Sequence, residues 1–389
     1  MSKKVLILSE AVGNGHTKAA EALQQGIAHL NPSVETQIIE VGQTLNPFSS
    51  KLFVNFYINL IILFPNLWRK IYRHKQEKPL SQWKKVVIYL LFHRRIEQLI
   101  IREKPDMIIC THPFTSATLS SLKNKGYPFT LCTLITDFHV HGAWVHKYID
   151  YYLVSSEDVI EQLLEMDIPR SQLVVTGIPT NSSFWDKKDK EEVREKLQLK
   201  HIPSVMVMGG GLGLGGMKEL SEQLTKWKDN IQIIICTGRN EKLRKVLLNQ
   251  EQYEHPNIRI LGFRNDIDEW MEAADLLITK AGGVTCFEAL SKGLPMYIYK
   301  PIPGHEESNC EILVKNCLAE KLDEGYTIDE LIEKLLYAPA ELEMLQTKLK
   351  AYQGTIEPLA SAELVIDLLY RKKISTYKKP ISYTLSNEY

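Results

Sequence analysis

The sequence lacks an excess of either charge: 47 Lys and Arg balance 47 Asp and Glu, for a formal net charge of zero. The molecule as a whole therefore has no electrostatic bias toward nucleic acid, and no nucleic-acid partner is expected. Six cysteines stand scattered at 110, 132, 236, 286, 310 and 317, with no CxxC pair. That spacing indicates neither a zinc knuckle nor a disulfide framework, and it fits a reducing, cytoplasmic compartment. No signal peptide is read, because the apolar run at 5–8 (VLIL) is far too short and suits a buried first strand. The most membrane-like stretch, Leu52 to Trp68, is 17 residues long and is broken by three asparagines and Pro65. A spanning helix needs about 20 mostly apolar residues, so an interfacial or core helix is expected there. No GK[ST] follows any glycine run, which excludes a Walker loop.

What is present begins with length. A chain of 389 residues exceeds one ordinary core and suggests two domains. Charge neutrality also hides an asymmetry. Between Trp68 and Lys104 there are 11 Lys/Arg against 3 Asp/Glu, a local +8 that leaves −8 for the rest. Trp68, Tyr72, Trp83, Tyr89 and Phe92 interleave with those bases. Basic residues beside aromatic ones suit a surface resting on anionic lipid, so residues 52–104 are expected to meet a membrane. A helical subdomain with a solvated basic face is the plainer alternative.

Near-continuous apolar runs at 4–9, 36–41, 106–110, 130–136, 151–155 and 173–176 suit a parallel sheet covered on both faces. A charged stretch at 182–200 reads as a linker leading into a helix. The pattern then restarts, with strands expected at 204–208, 232–236, 258–261, 276–279 and 296–299 and helices between them. The expected class is α/β, with two doubly wound Rossmann-like domains facing an interdomain cleft. The expected boundaries are 1–180, a linker at 181–200, a second domain at 201–356 and a final helix at about 357–372. The polar tail 373–389 has little to bury and is expected to be mobile.

Five motifs fall at strand ends, where doubly wound folds bind ligands. Gly13-Asn14-Gly15-His16 opens a helix whose free N–H groups suit an oxyanion or a sugar hydroxyl. His16 is a candidate general base or, alternatively, only a capping residue. Thr136-Asp137-Phe138-His139-Val140-His141 continues to Trp144 and His146. Asp137, His139 and His141 would share a face if extended, which leaves a metal site and an acceptor-hydroxyl site both open. Residues 209–216 hold six glycines, with Gly210 and Gly211 placed to bring amides against phosphate. The run contains GxGxxG, yet the next strand ends Cys236-Thr237-Gly238-Arg239. The ribose-binding acid of a dehydrogenase is missing, and Arg239 joins the nucleotide-site candidates. Lys280-Ala281-Gly282-Gly283-Val284-Thr285 leads into Glu288. Gly282, Gly283, Val284 and Thr285 can meet a diphosphate at a helix N-terminus, and Glu288 can accept from a ribose diol. Last, His305, Glu306 and Asn309 offer the donors and acceptors that a hexose needs. Asp266-Ile267-Asp268 has the spacing of a metal clamp, but its place at a helix start favours capping.

In this order, GNGH, TDFHVHGAWVH, VTGIP, MGGGLG, KAGGVTCFEA and PGHEESN resemble the monogalactosyldiacylglycerol synthase and processive diacylglycerol glucosyltransferase family. The similarity runs from about Lys4 to Tyr370. It implies a GT-B fold, a UDP-sugar donor with no further cofactor, inversion at the anomeric carbon and no obligatory metal. It also implies a lipid acceptor and a cytoplasmic protein held peripherally on the inner face of the membrane. By this resemblance His16 is base or acceptor-positioning residue, and Asp137 and His141 lie near the acceptor. Phe263 sits by the uracil, Glu288 holds the ribose, and His305 and Glu306 contact the hexose. Two positions depart from the family pattern: Asn181 stands where an arginine is usual, and His305 where glutamine is frequent. A UDP-sugar 2-epimerase, a transferase with a soluble acceptor and a sugar-nucleotide sensor without turnover are the alternatives.

Overall fold

The computed structural model describes residues 3–10, 13–73, 81, 86–87, 89–90, 95–214, 216–322 and 327–370. The tail and much of the basic 68–104 segment therefore lie outside the described residues. Two six-stranded sheets organise the chain. The first runs β2-β1-β3-β4-β5-β6, with β1 at Lys4–Ser9, β2 at Glu35–Glu40, β3 at Met107–Cys110, β4 at Thr130–Leu134, β5 at Tyr151–Val154 and β6 at Leu173–Val175. The second runs β12-β11-β10-β7-β8-β9, with β7 at Ser204–Met208, β8 at Gln232–Cys236, β9 at Ile258–Leu261, β10 at Leu276–Thr279, β11 at Met296–Tyr299 and β12 at Glu320–Leu322. Every pairing is parallel.

Strand β1 shows why its sequence forms a sheet covered twice. Val5 and Ile7 enter the large core shared with the second sheet, while Leu6 and Leu8 enter a separate core on the opposite face. Alternate residues point to opposite faces, so an apolar residue is needed at each position. The helix Gly15–Leu30 buries Ala19, Ala20, Leu23 and Ile27, a 3.6-residue stripe laid on this sheet. The helix Ala360–Tyr370 returns from the second sheet to pack on it. A methyl group added at Gly26 would come within 2.9 Å of Ala362 Cβ. The GT-B expectation therefore holds at the level of sheets, order and facing layers.

Several details differ from the sequence reading. The second strand ends at Glu40, and Val41 starts the short helix Val41–Leu45, held by Glu10 accepting from Gly42 N at 3.1 Å. The fourth strand stops at Leu134, so Ile135 and Thr136 already belong to the site loop. Strand β12 and the helices Ile328–Tyr337 and Ala340–Gln353 follow the last strand that had been expected. The 52–68 stretch falls into two helices, Pro47–Leu63 and Pro65–Arg73, divided where Pro65 cannot donate a backbone hydrogen bond. Among the described residues no helix is long and apolar enough to cross a membrane.

In both sheets the strand order reverses beside the first strand, between β1 and β3 and between β7 and β10. Ligands bind at such switch points, beyond the carboxyl ends of the strands. The described loops there are 13–14 and 111–112 in the first domain, leading into the helix Gly15–Leu30, and 209–214 and 280–282 in the second, leading into the helix Gly283–Lys292.

Candidate active site

The two sets of switch-point loops press against each other. Gly283, the first residue of the helix Gly283–Lys292, abuts Thr136 at the end of the first sheet. Any Cβ at Gly283 would collide with the Thr136 carbonyl oxygen. Gly211 likewise faces Asn14, whose amide would collide with an added Cβ. Glycine at these two positions is what permits the close approach of the two halves.

His16 lies at this junction. Its Nδ1 is 2.9 Å from Thr136 Oγ1, and the rings of His112 and Trp144 lie 4.7 and 6.1 Å from its own. Burial holds its pKa below the usual 6.5; Asp137 and the Thr111 backbone oppose that effect, and His305 adds to it. The electrostatic neighbours of this one ring thus come from both domains. His141 is pushed down to about 4, by burial first, with His305, His139 and His16 contributing and Asp137 opposing. Both imidazoles are neutral at pH 7, which a proton acceptor requires.

On the second domain, the helix Gly283–Lys292 begins without a side-chain cap at Gly282, leaving its first N–H groups for a ligand. Gly15 of the first domain faces Val284, where an added Cβ would lie 3.5 Å from Val284 Cγ2. Gly210 and Gly282 flank the Lys280 side chain: Cβ atoms built on them would lie 3.0 Å from its Cε and 3.4 Å from its Nζ. Lys280 was not assigned from the sequence, although its place before two glycines was a usable signal. Its ammonium pairs with Glu306, which is 2% exposed in its side chain and also accepts from Ile302 N at 2.9 Å. Glu288 is raised to about 8 by burial, against the effect of Lys18 and with that of Asp268. Phe263 is 41% exposed, with Arg239 of its own domain and Lys18 of the first domain at 5.1 and 5.5 Å from its ring centroid. Lys18, one turn into the first helix, is a second residue that the motif reading passed over.

Two sequence expectations, for Asn309 and Asp266, meet a different geometry. Asn309 was expected to meet the donor sugar, but it is fully buried and bonded within the protein on every side. Asp266 stands at a helix start, yet its carboxylate makes no cap; it binds Arg264, while Asp268 is buried against Lys188 at 2.8 Å. Asp137, His139 and His141 form no metal-holding group, and none is found among the described residues. Asn181 accepts from Ser183 N at 3.1 Å and so caps a short turn.

A further contact comes from the helix Pro65–Arg73. Arg69 Nε donates to Glu307 at 2.9 Å, and the Tyr72 ring lies on Gly304, 5.6 Å from His141 and 6.4 Å from His305. The segment after the exposed apolar helix thus reaches across the cleft to the helix that bears His305.

Comparison with known proteins agrees with this architecture. Residues 16–180 match the family described as monogalactosyldiacylglycerol (MGDG) synthase, and residues 204–364 match the glycosyltransferase family 28 C-terminal domain. A processive diacylglycerol beta-glucosyltransferase of Bacillus licheniformis is 30% identical over 388 residues, covering 99% of each chain. A protein of the same name from Bacillus cereus strain B4264 is 30% identical over 355 residues, covering 90% of this chain and 89% of that one. Among solved structures, Acinetobacter baumannii MurG superposes with a TM-score of 0.57 at 15% identity, covering 95% of this chain and 99% of that one. Anabaena HepE, solved with UDP and glucose, gives 0.57 at 12% identity, covering 95% and 100%. At those identities the structures speak for the fold, and the full-length relatives speak for the family. The chain is a GT-B glycosyltransferase and belongs to the processive diacylglycerol beta-glucosyltransferase family.

Proposed function

We propose that the protein transfers a hexose, glucose first among the candidates, from its UDP ester to the hydroxyl of diacylglycerol at a membrane surface. One observation carries this reading: the uncapped helix start at 282–285 and the 209–214 turn lie against the loop that presents His16. A diphosphate held by the former would bring the anomeric carbon of its sugar to the latter.

The step is a direct displacement. The acceptor oxygen bonds to the anomeric carbon as the bond from that carbon to the β-phosphate oxygen breaks. His16 takes the hydroxyl proton, and the electron pair leaves with UDP. The backbone N–H groups at Gly283, Val284 and Thr285 and the Lys280 ammonium face the charge that develops on the diphosphate. In this reading Glu288 receives the ribose diol, and Phe263 with Arg239 flanks the base. His305 is left to contact the hexose. Asp137 and His141 belong to the acceptor side.

The membrane part of the proposal is supported by exposed apolar residues on the two helices Pro47–Leu63 and Pro65–Arg73. Phe48 is 82% exposed and Leu52 and Phe56 are 63% exposed, spaced four residues apart on one face, and Leu63, Phe64 and Leu67 follow. A patch of this kind suits insertion into the outer few ångströms of a bilayer, with the protein peripheral on its inner face. The deciding experiment incubates the protein with vesicles of diacylglycerol and anionic phospholipid and a panel of UDP-sugars. Diacylglycerol heavier by one hexose is expected. Absence of any glycolipid, or turnover of UDP-sugar alone to an epimer, would overturn the reading.

A further inference from the structure

A carboxamide has two N–H donors and one oxygen that accepts twice. At Asn309, on the helix His305–Lys315, all four positions are filled. Nδ2 donates to Asp137 Oδ1 at 2.9 Å and to the Ala281 carbonyl at 3.1 Å. Oδ1 accepts from the backbone N–H of Phe138 at 2.9 Å and of His139 at 3.1 Å. Only one orientation of the amide satisfies these partners, because two are pure acceptors and two are pure donors. Three of the four bonds cross from the second domain to the first. The fourth ties the same side chain to Ala281, immediately before the Gly282-Gly283 turn. With a relative exposure of 0%, the amide has no remaining position for a sugar hydroxyl.

We infer that Asn309 is a positioning residue that couples the meeting of the two domains to the aim of the Asp137 carboxylate. The bond to Asp137 exists only while the domains touch. Separation breaks all three crossing bonds together, and the carboxylate then loses the donor that fixes its rotamer. The pressing of Gly283 on Thr136 next door makes the seam close-packed, so a donor bound at 282–285 and an acceptor beside Asp137 meet in one aligned geometry. This inference rests on the proposed acceptor-side role of Asp137.

The test uses the full chain with UDP-glucose and diacylglycerol vesicles, and it compares Asn309→Asp, Asp137→Asn and the double variant. Asn309→Asp keeps shape but removes both donors and sets a second carboxylate against Asp137. It is expected to lower kcat by about 100-fold, the scale of a misplaced reacting group. The dissociation constant for UDP, which the second domain binds, should stay within about threefold of wild type. A merely structural asparagine would lower melting temperature and UDP affinity alongside kcat. Asn309→Ser, which adds no charge, should show the same split at about tenfold and covers the case in which the aspartate variant does not fold. Because Asn309 acts through Asp137, the double variant should be no slower than Asp137→Asn alone. Multiplied losses in the double variant, or near-normal kcat in Asn309→Asp and Asn309→Ser while Asp137→Asn is inactive, would overturn the inference. Near-normal kcat in Asp137→Asn would instead overturn the role of Asp137 itself.

Discussion

His16, in the first turn of the helix Gly15–Leu30, and Thr136, in the loop after β4, face each other, with the threonine hydroxyl 2.9 Å from the imidazole Nδ1. That is the geometry an acceptor hydroxyl must adopt toward a general base. Thr136 is pressed in turn by Gly283 of the other domain, so ring orientation and domain contact are linked. His16→Ala is expected to lower kcat by about 10²–10⁴-fold while UDP still binds. Burial keeps the His16 pKa below 6.5, so the base form persists through neutrality. At saturating UDP-sugar, where the Glu288 ionisation that governs donor binding no longer enters, kcat should be flat from pH 8 to 6.5 and decline only below that; an acidic limb of kcat centred above 6.5 would contradict the assignment. Thr136→Val, which replaces the hydroxyl with a methyl group of similar size, should lower kcat with KM for the donor unchanged.

Glu288 is held protonated up to about pH 8 by its buried surroundings. A ribose diol donates two hydrogen bonds and favours the ionised carboxylate, so UDP binding should release a proton. The sign follows: affinity rises as pH rises toward and through 8. Between pH 7 and 9 the gain should be about tenfold, as the ionised fraction of a group titrating near 8 grows. Calorimetry in two buffers of different ionisation enthalpy reads the released proton directly. Glu288→Gln should abolish the pH dependence; a dependence that survives in that variant belongs to another group.

The Lys280–Glu306 pair is buried, with side-chain exposures of 12% and 2%. Lys280→Met leaves a carboxylate uncompensated and should cost about 3–5 kcal/mol in stability. Adding Glu306→Leu should recover part of that loss, because an apolar pair replaces a buried ionic one while the Ile302 N–H loses its acceptor. UDP affinity should stay reduced by about tenfold or more in both variants, since a charge-assisted contact to the diphosphate is gone. Denaturant titration and UDP calorimetry separate the two effects. Full recovery of UDP binding in the double variant would remove Lys280 from the donor site.

Phe48 and Phe56 stand on one exposed face of their helix. Each buried phenylalanine contributes about 1.5–3 kcal/mol to membrane partition. Phe48→Glu/Phe56→Glu should therefore abolish sedimentation with anionic vesicles and reduce turnover on vesicular acceptor. Melting temperature and UDP binding should be unchanged, because neither ring is part of the core. Undiminished vesicle binding would move the membrane contact elsewhere.

Local chemistry made much of this molecule readable along the chain. Runs such as KVLILS need burial on both faces and so announce parallel strands, and glycine turns between strand and helix announce phosphate-binding geometry. That His16, Glu288 and the 209–214 and 282–285 segments would gather beyond strand ends was legible because each sits at a fixed offset from a strand. Side-chain partnership across the chain was not. Asn309 and Asp137 are 172 positions apart, and nothing in the residues around either one says that the amide is spent on the carboxylate. Lys18 approaches Phe263, and Arg69 pairs with Glu307, for the same reason: two separately folded sheets meet. Periodicity and turn propensity act over a few residues and determined the layers and their loops. Which polar groups face a ligand and which bind one another was decided only when the two halves packed, because buried groups such as the Asn309 amide and the Asp137 carboxylate then met across the junction.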